Sequence, residues 1–171
     1  MLGSIGTLIV THWLNQKGKI HFNVASAKYE KYSRDKYNEK ISYNPEEEKN
    51  ELETLIELQL YNSSGTPKHV KDIGLYIALV GNKKDVKTFP LDDKATKKQD
   101  KLGIFYFDKV EYINVPSKEL IKLNLRNVIY KREQEIPSNS KAYLIYRRQR
   151  KYWFVDKYFY TKHKIYLFDI E

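Results

Sequence analysis

The chain of 171 residues contains no cysteine. Disulfide frameworks, thiolate nucleophiles and cysteine-ligated zinc are thereby excluded. Glycine and proline are scarce, at 7 and 5 residues, and no Gly-rich stretch precedes Lys-Ser or Lys-Thr, so a phosphate-binding loop is absent. Only four histidines occur, His12, His21, His69 and His163, and none has a second ligand type at metal-site spacing. Ser63 and Ser64 lie outside any G-x-S-x-G context. The acidic run Glu46-Glu47-Glu48 lacks the spaced Asp, Asn and Gly of a calcium loop and reads as solvated surface. No catalytic residue, metal ligand or cofactor site is assigned, and no enzyme activity is expected.

No apolar run is long enough to cross a bilayer, which takes ~20 residues. Even so, the first fourteen residues, MLGSIGTLIVTHWL, carry no charge. Trp13 stands where an interfacial aromatic would, and Lys17 and Lys19 flank Gly18 as cations do near a helix C-terminus. Residues 4–16 are expected to be helical. Two readings fit: the inner end of a membrane anchor, or an amphipathic helix packed on the domain. The organisation expected is 1–18, an apolar N-terminal helix, and 19–171, one folded domain. Basic residues just after an anchor mark the cytoplasmic side, so the domain would face the cytoplasm at the membrane. Without an anchor it would simply be cytoplasmic.

What the sequence has in quantity is aromatic side chains, with 15 Tyr, 7 Phe and 2 Trp, and positive charge, +9 net. Tyrosine suits a pleated surface that is packed below and wet above. The charge is uneven. Residues 17–40 carry seven basic and three acidic side chains, whereas 44–57 carry six glutamates against Lys49. A basic excess favours anionic lipid or nucleic acid without choosing between them.

Period-two alternation recurs along the chain. It marks Ile20-Phe22-Val24, Ile56-Leu58-Leu60, Ile73-Leu75-Ile77-Leu79 and Ile121-Leu123-Leu125 as strands buried on one face. Val70 departs from this period, through a bulge or because the strand begins there. Further strands are expected at 86–91, 104–107, 142–147, 152–156 and 164–170. The turn cluster Asn62–Pro67 suggests a hairpin between its flanking strands. Residues 33–50 and the charged 92–101 read as loops. Pro116-Ser117 would also suit a helix start, but the alternation over 121–125 favours a strand. Eight or nine short strands without sustained helical period predict an all-β, antiparallel β-sandwich. The expected core includes Ile56, Leu58, Leu60, Ile73, Leu75, Ile77, Leu123 and Leu144.

The stretch LIELQLYNSSGTPKHVKDIGLYIAL, residues 55–79, resembles the apolar strand, Asn-x-Ser/Gly-x-Pro turn and second strand of bacterial and phage immunoglobulin-like sandwich domains. THWLNQKGKIHFNV resembles the exit of a membrane helix into such a domain in small Firmicute-type membrane-anchored proteins of unknown function. The resemblance implies an immunoglobulin-like fold and a membrane-anchored topology. It implies no functional residues.

The most distinctive surface signal is YLIYRRQRKYWFVDKYFY, residues 143–160. Arg147, Arg148, Arg150 and Lys151 are interleaved with Tyr146, Tyr152 and Trp153 in what reads as a basic turn. Guanidinium and aromatic groups together hold single-stranded nucleic acid or another anionic surface. Against this, strand alternation would put half of the rings in the core. The reading reached is a membrane-tethered, protein-binding accessory module. Trp13, Lys17 and Lys19 would lie at the membrane, and an anionic lipid surface is a further partner. The alternative is a phage or plasmid protein binding nucleic acid through residues 147–153.

Overall fold

The computed structural model describes residues 18–47, 49–79, 86–130, 139–151 and 158–171. The expected helix 4–16, with Trp13 and Lys17, lies outside them, as do Tyr152 and Trp153. No helix among the described residues is long and apolar enough to cross a membrane.

Eleven strands are described. They are β1 (Ile20–Arg34), β2 (Lys40–Ser42), β3 (Asn50–Asn62), β4 (Lys68–Leu79), β5 (Val86–Pro90), β6 (Asp92–Gln99), β7 (Phe105–Lys109), β8 (Tyr112–Val115), β9 (Leu120–Tyr130), β10 (Ser140–Lys151) and β11 (Tyr158–Ile170). One sheet has the order β2-β1-β3-β9-β6-β7, and the other β11-β10-β4-β5 with β8 also beside β4. All the pairings are antiparallel. This is the all-β, antiparallel sandwich expected.

Alternation builds the core. In β3 every even residue from Asn50 to Asn62 is buried, so Leu52, Ile56, Leu58 and Leu60 face the second sheet. Opposite them are Val70, Leu75, Ile77, Ala142 and Leu144. Each such leucine or isoleucine contributes ~1.5–3 kcal/mol through burial. Leu123 is only partly buried and packs on the margin of this cluster. Val70 keeps its inward place through a bulge. Ile145 pairs with Gly74 and Arg147 with Lys71, so Asp72 and Ile73 together face Tyr146. Asp72 takes φ 52° to do so.

Four expectations need correction. The strands flanking residues 62–67 do not form a hairpin: β3 and β4 belong to different sheets. The Asn62 side chain converts the turn into a crossover. Its Nδ2 reaches the carbonyls of Thr66, Val115 and Pro116 at 2.9–3.0 Å, and its Oδ1 accepts from Ser64 N and Ser64 Oγ. Alternation could not tell the two apart, because either connection buries one face of both strands. Second, residues 92–99 form β6, not a loop. Where a two-stranded extension is wet on both faces, no apolar alternation marks it. Third, 33–50 is interrupted by β2, which pairs with the end of β1. Fourth, 147–151 is not a turn, since β10 runs unbroken to Lys151 and pairs with β11 along its whole length.

Gly18 has a place at the crossover. Its φ lies outside the left-handed region. A Cβ there would overlap the backbone of Ser63 and Ser64, so close approach to the β3–β4 crossover requires glycine. Lys68 Nζ donates to Gly18 O at the same place.

Candidate interaction surface

Strand β10 divides the residues that the sequence grouped together. Tyr146 points inward, is 6% exposed and stacks on Phe22 at 3.7 Å between ring centroids. Its phenol is held above the usual range, by burial first. Arg148 also points inward. It pairs in register with the fully buried Val70 and reaches Ile20 O with Nη1 at 3.5 Å. It stands near Lys68, whose ammonium is pushed below the usual lysine range by burial and then by the charge of Arg148. Arg147 alone of this pair faces outward, where its Nε lies 3.3 Å from Asp72 Oδ2. Arg150 and Lys151 pair through their backbones with Phe159 and Tyr158. Lys19 is exposed at the opposite sequence end, and its backbone N–H is bound by Ser63 Oγ at 3.0 Å. Arg147 and Arg148 therefore lie on opposite faces of β10, while Tyr152 and Trp153 lie outside the described residues.

The structure gathers a different set. On the outer face of β4, β10 and β11, Tyr143 lies opposite Tyr76 on one side and Tyr166 on the other. The rings meet edge to face at 6.0 and 5.7 Å. Lys164 lays its ammonium 3.5 Å from the centre of the Tyr143 ring and 4.3 Å from that of Tyr76. Lys71 sits 3.8 Å over Tyr160. Tyr112 of β8 extends the face, stacked on His69 at 5.1 Å. Among the described residues no carboxylate pairs with Lys71, Lys162 or Lys164. Between the tyrosine row and Arg147, Gly74 leaves a hollow of about 320 Å³, lined by Ile145 and Pro90 and by Arg147, Lys162 and the Asp72 carboxylate that pairs with Arg147. A Cβ on Gly74 would stand 3.0 Å from Phe89 O and narrow it.

The family model of the YopI Ig-like domain matches residues 18–153. The chain belongs to this family. It is 29% identical over 146 residues to the SPbeta prophage-derived uncharacterized protein YopI of Bacillus subtilis (strain 168), an alignment covering 84% of this chain and 81% of that protein. No solved structure matches. The immunoglobulin-like fold and the phage or bacterial kinship expected from residues 55–79 are thus established for this YopI-family chain. The match starts at Gly18, where the described fold begins, and ends before β11.

Strand β11 nevertheless supplies Lys162, Lys164 and Tyr166; the strand expected at 164–170 starts too late to include Lys162, and Lys164 and Tyr166 are not among the expected surface contacts. A signal for them exists. From Tyr158 the series Tyr160, Lys162, Lys164 and Tyr166 keeps strict period two, with Phe159, Thr161, His163 and Ile165 on the other parity. Among the described residues no cluster of metal-ligating side chains occurs.

Proposed function

We propose that the domain is a non-catalytic binding module. Its N-terminal segment would hold it at the cytoplasmic face of a membrane, and the tyrosine–lysine face of β4, β10 and β11 would take an acidic protein partner. The observation that carries this reading is the row Tyr76–Tyr143–Tyr166 with Lys164 laid over two of its rings. Tyrosine and cationic residues held rigidly by a sheet cost little side-chain entropy on binding, and aromatic side chains are enriched in protein interfaces. The hollow at Gly74 offers apolar lining beside Arg147 and Lys162, which suits a carboxylate on a short side chain. The exposed ion pair of Arg147 with Asp72 is worth little in water and yields readily to a partner's carboxylate. The tether is supported by the uncharged residues 1–14 and by Lys17 and Lys19 behind them.

A second reading, single-stranded nucleic acid on the same face, is favoured by the half-exposed rings of Tyr112 and Tyr166. It ranks below the first. Bases stack on open rings, and those of Tyr76, Tyr143 and Tyr160 are capped by ammonium groups. Asp72 and Asp169 would also repel phosphate.

The test is affinity capture from a bacterial lysate with three full-length proteins: wild type, Lys162→Glu with Lys164→Glu, and Lys28→Glu with Lys122→Glu on the opposite sheet. A protein retained by the first and third but lost by the second is expected. Material destroyed by nuclease would favour the second reading. Equal capture by all three would rule out this face.

A further inference from the structure

The hairpin β6–β7 leaves the sandwich. Asp92 and Asp93 pair with Arg126 and Leu125 of β9, after which β6 pairs with β7 alone, Lys98 with Tyr106 and Gln99 with Phe105. Since β6 runs antiparallel to β9, it heads toward the start of β9, where Leu120 pairs with Tyr61. That is also the end where Ile20, two residues after Gly18, pairs with Asn62.

The tip is a built turn. Asp100 Oδ1 accepts from Leu102 N at 2.9 Å and Ile104 N at 2.8 Å, and Gly103 takes φ 81°. The side chains it presents are apolar and bare: Leu102 is 85% exposed, Ile104 60% and Phe105 54%. Exposed apolar groups gathered at a projecting tip mark an interaction site. Behind them stand cations. Lys97 lies 3.8 Å over the Phe105 ring, and Lys101 is exposed beside Leu102.

We propose that this hairpin tip docks into the surface of an anionic lipid bilayer, with Leu102 and Ile104 in the acyl boundary and Lys97 and Lys101 against lipid phosphates. Two observations select this occupant. A convex apolar point backed by ammonium groups complements a fluid, negatively charged interface. The tip also lies at the end of the sandwich where Gly18 stands, so the hairpin and the N-terminal tether proposed above would meet one membrane. The inference rests on the tether reading only for this direction of approach.

The lack of cysteine makes the test specific. Leu102→Cys and Tyr37→Cys, each in the full chain, accept one environment-sensitive fluorophore. Tyr37 is 73% exposed in the β1–β2 turn, at the opposite end. With vesicles of phosphatidylglycerol and phosphatidylcholine, the label at 102 should shift to the blue and be quenched from within the lipid. The label at 37 should not respond, and pure phosphatidylcholine should give no shift. Replacing Lys97 or Lys101 by Gln should weaken the response about fivefold each. A response at 102 that survives Leu8→Asp with Val10→Asp supports the hairpin without the tether. Co-sedimentation with a label at 102 that stays in water overturns the hairpin proposal and leaves the tether standing. No sedimentation overturns both. A lipid-independent shift at 102 with a doubled mass in light scattering overturns it in favour of self-association.

Discussion

The two outer faces of this sandwich use the same kinds of side chain in opposite ways. On the β1–β3–β9 face, Arg34, Lys40 and Arg126 are each paired with a glutamate. Arg34 meets Glu51 at 2.5 Å, Lys40 meets Glu30 at 2.6 Å, and Arg126 meets Glu53 at 2.6 Å. Tyr32 is 2% exposed beneath them, with Lys40 4.0 Å over its ring. On the β4–β10–β11 face, ammonium groups rest on tyrosine rings while carboxylates are few and solvated. Arg147–Asp72 and Lys141–Asp169, at 3.3 and 4.0 Å, are about half exposed on both sides. The first face pairs basic side chains with buried or half-buried glutamates, and the second leaves its ammonium groups on tyrosine rings.

Mutations can sharpen this contrast. Both faces rest on one core, and the largest effect belongs there: Leu75→Ala should cost ~2–5 kcal/mol in chemical denaturation, through lost transfer energy and a cavity. Next comes Glu51→Gln. It leaves the partly buried Arg34 without its carboxylate, and ~2 kcal/mol is expected after allowing for solvent around the guanidinium.

Tyr32→Phe should cost ~1–2 kcal/mol at neutral pH, the worth of a hydrogen bond to a charged acceptor. Its pH dependence identifies it. Burial, then the hydrogen bond to Glu51 and its negative charge, hold the phenol well above the usual tyrosine range. A raised folded value means that its stabilisation is complete below about pH 10 and falls as pH rises beyond that. The variant should therefore lose less stability than wild type on alkaline titration.

On the opposite face, Lys164→Ala should change stability by under ~1 kcal/mol, since an exposed cation–π contact is worth no more. If it instead matched Glu51→Gln, the contrast between the faces would collapse. The smallest effect concerns Asp92, at the root of the β6–β7 hairpin. Burial raises its pKa against the opposing charges of Lys109 and Arg126. Its contribution is therefore complete below about pH 4 and declines as pH rises through the folded value. Asp92→Asn should raise the melting temperature slightly at pH 7 and leave it unchanged in acid.

The core was legible because one-sided burial imposes period two on the sequence, and Ile56, Leu58, Leu60 and Leu75 obey it. The family kinship was legible in the Asn62–Pro67 cluster. The connection that this cluster makes was not, because it depends on one Asn62 side chain reaching the carbonyls of Val115 and Pro116, over fifty residues away. Strand β6 escaped for the converse reason: a hairpin wet on both faces needs no apolar pattern. At the surface, Arg147 and Arg148 are neighbours in sequence but lie on opposite faces of β10. Tyr76, Tyr143 and Tyr166, remote in sequence, form one row. Only the strand register, with its bulges at Asp72 and near Leu167, decides which residues share a face.

The central claim, that the tyrosine–lysine face is the one that meets a partner, is tested most directly by carbodiimide cross-linking of the captured complex followed by peptide mapping. This reagent joins lysine amines only to carboxylates in contact. The account predicts that intermolecular links concentrate on Lys71, Lys162 and Lys164. Links concentrated on Lys28, Lys40 and Lys122 of the opposite face would contradict it.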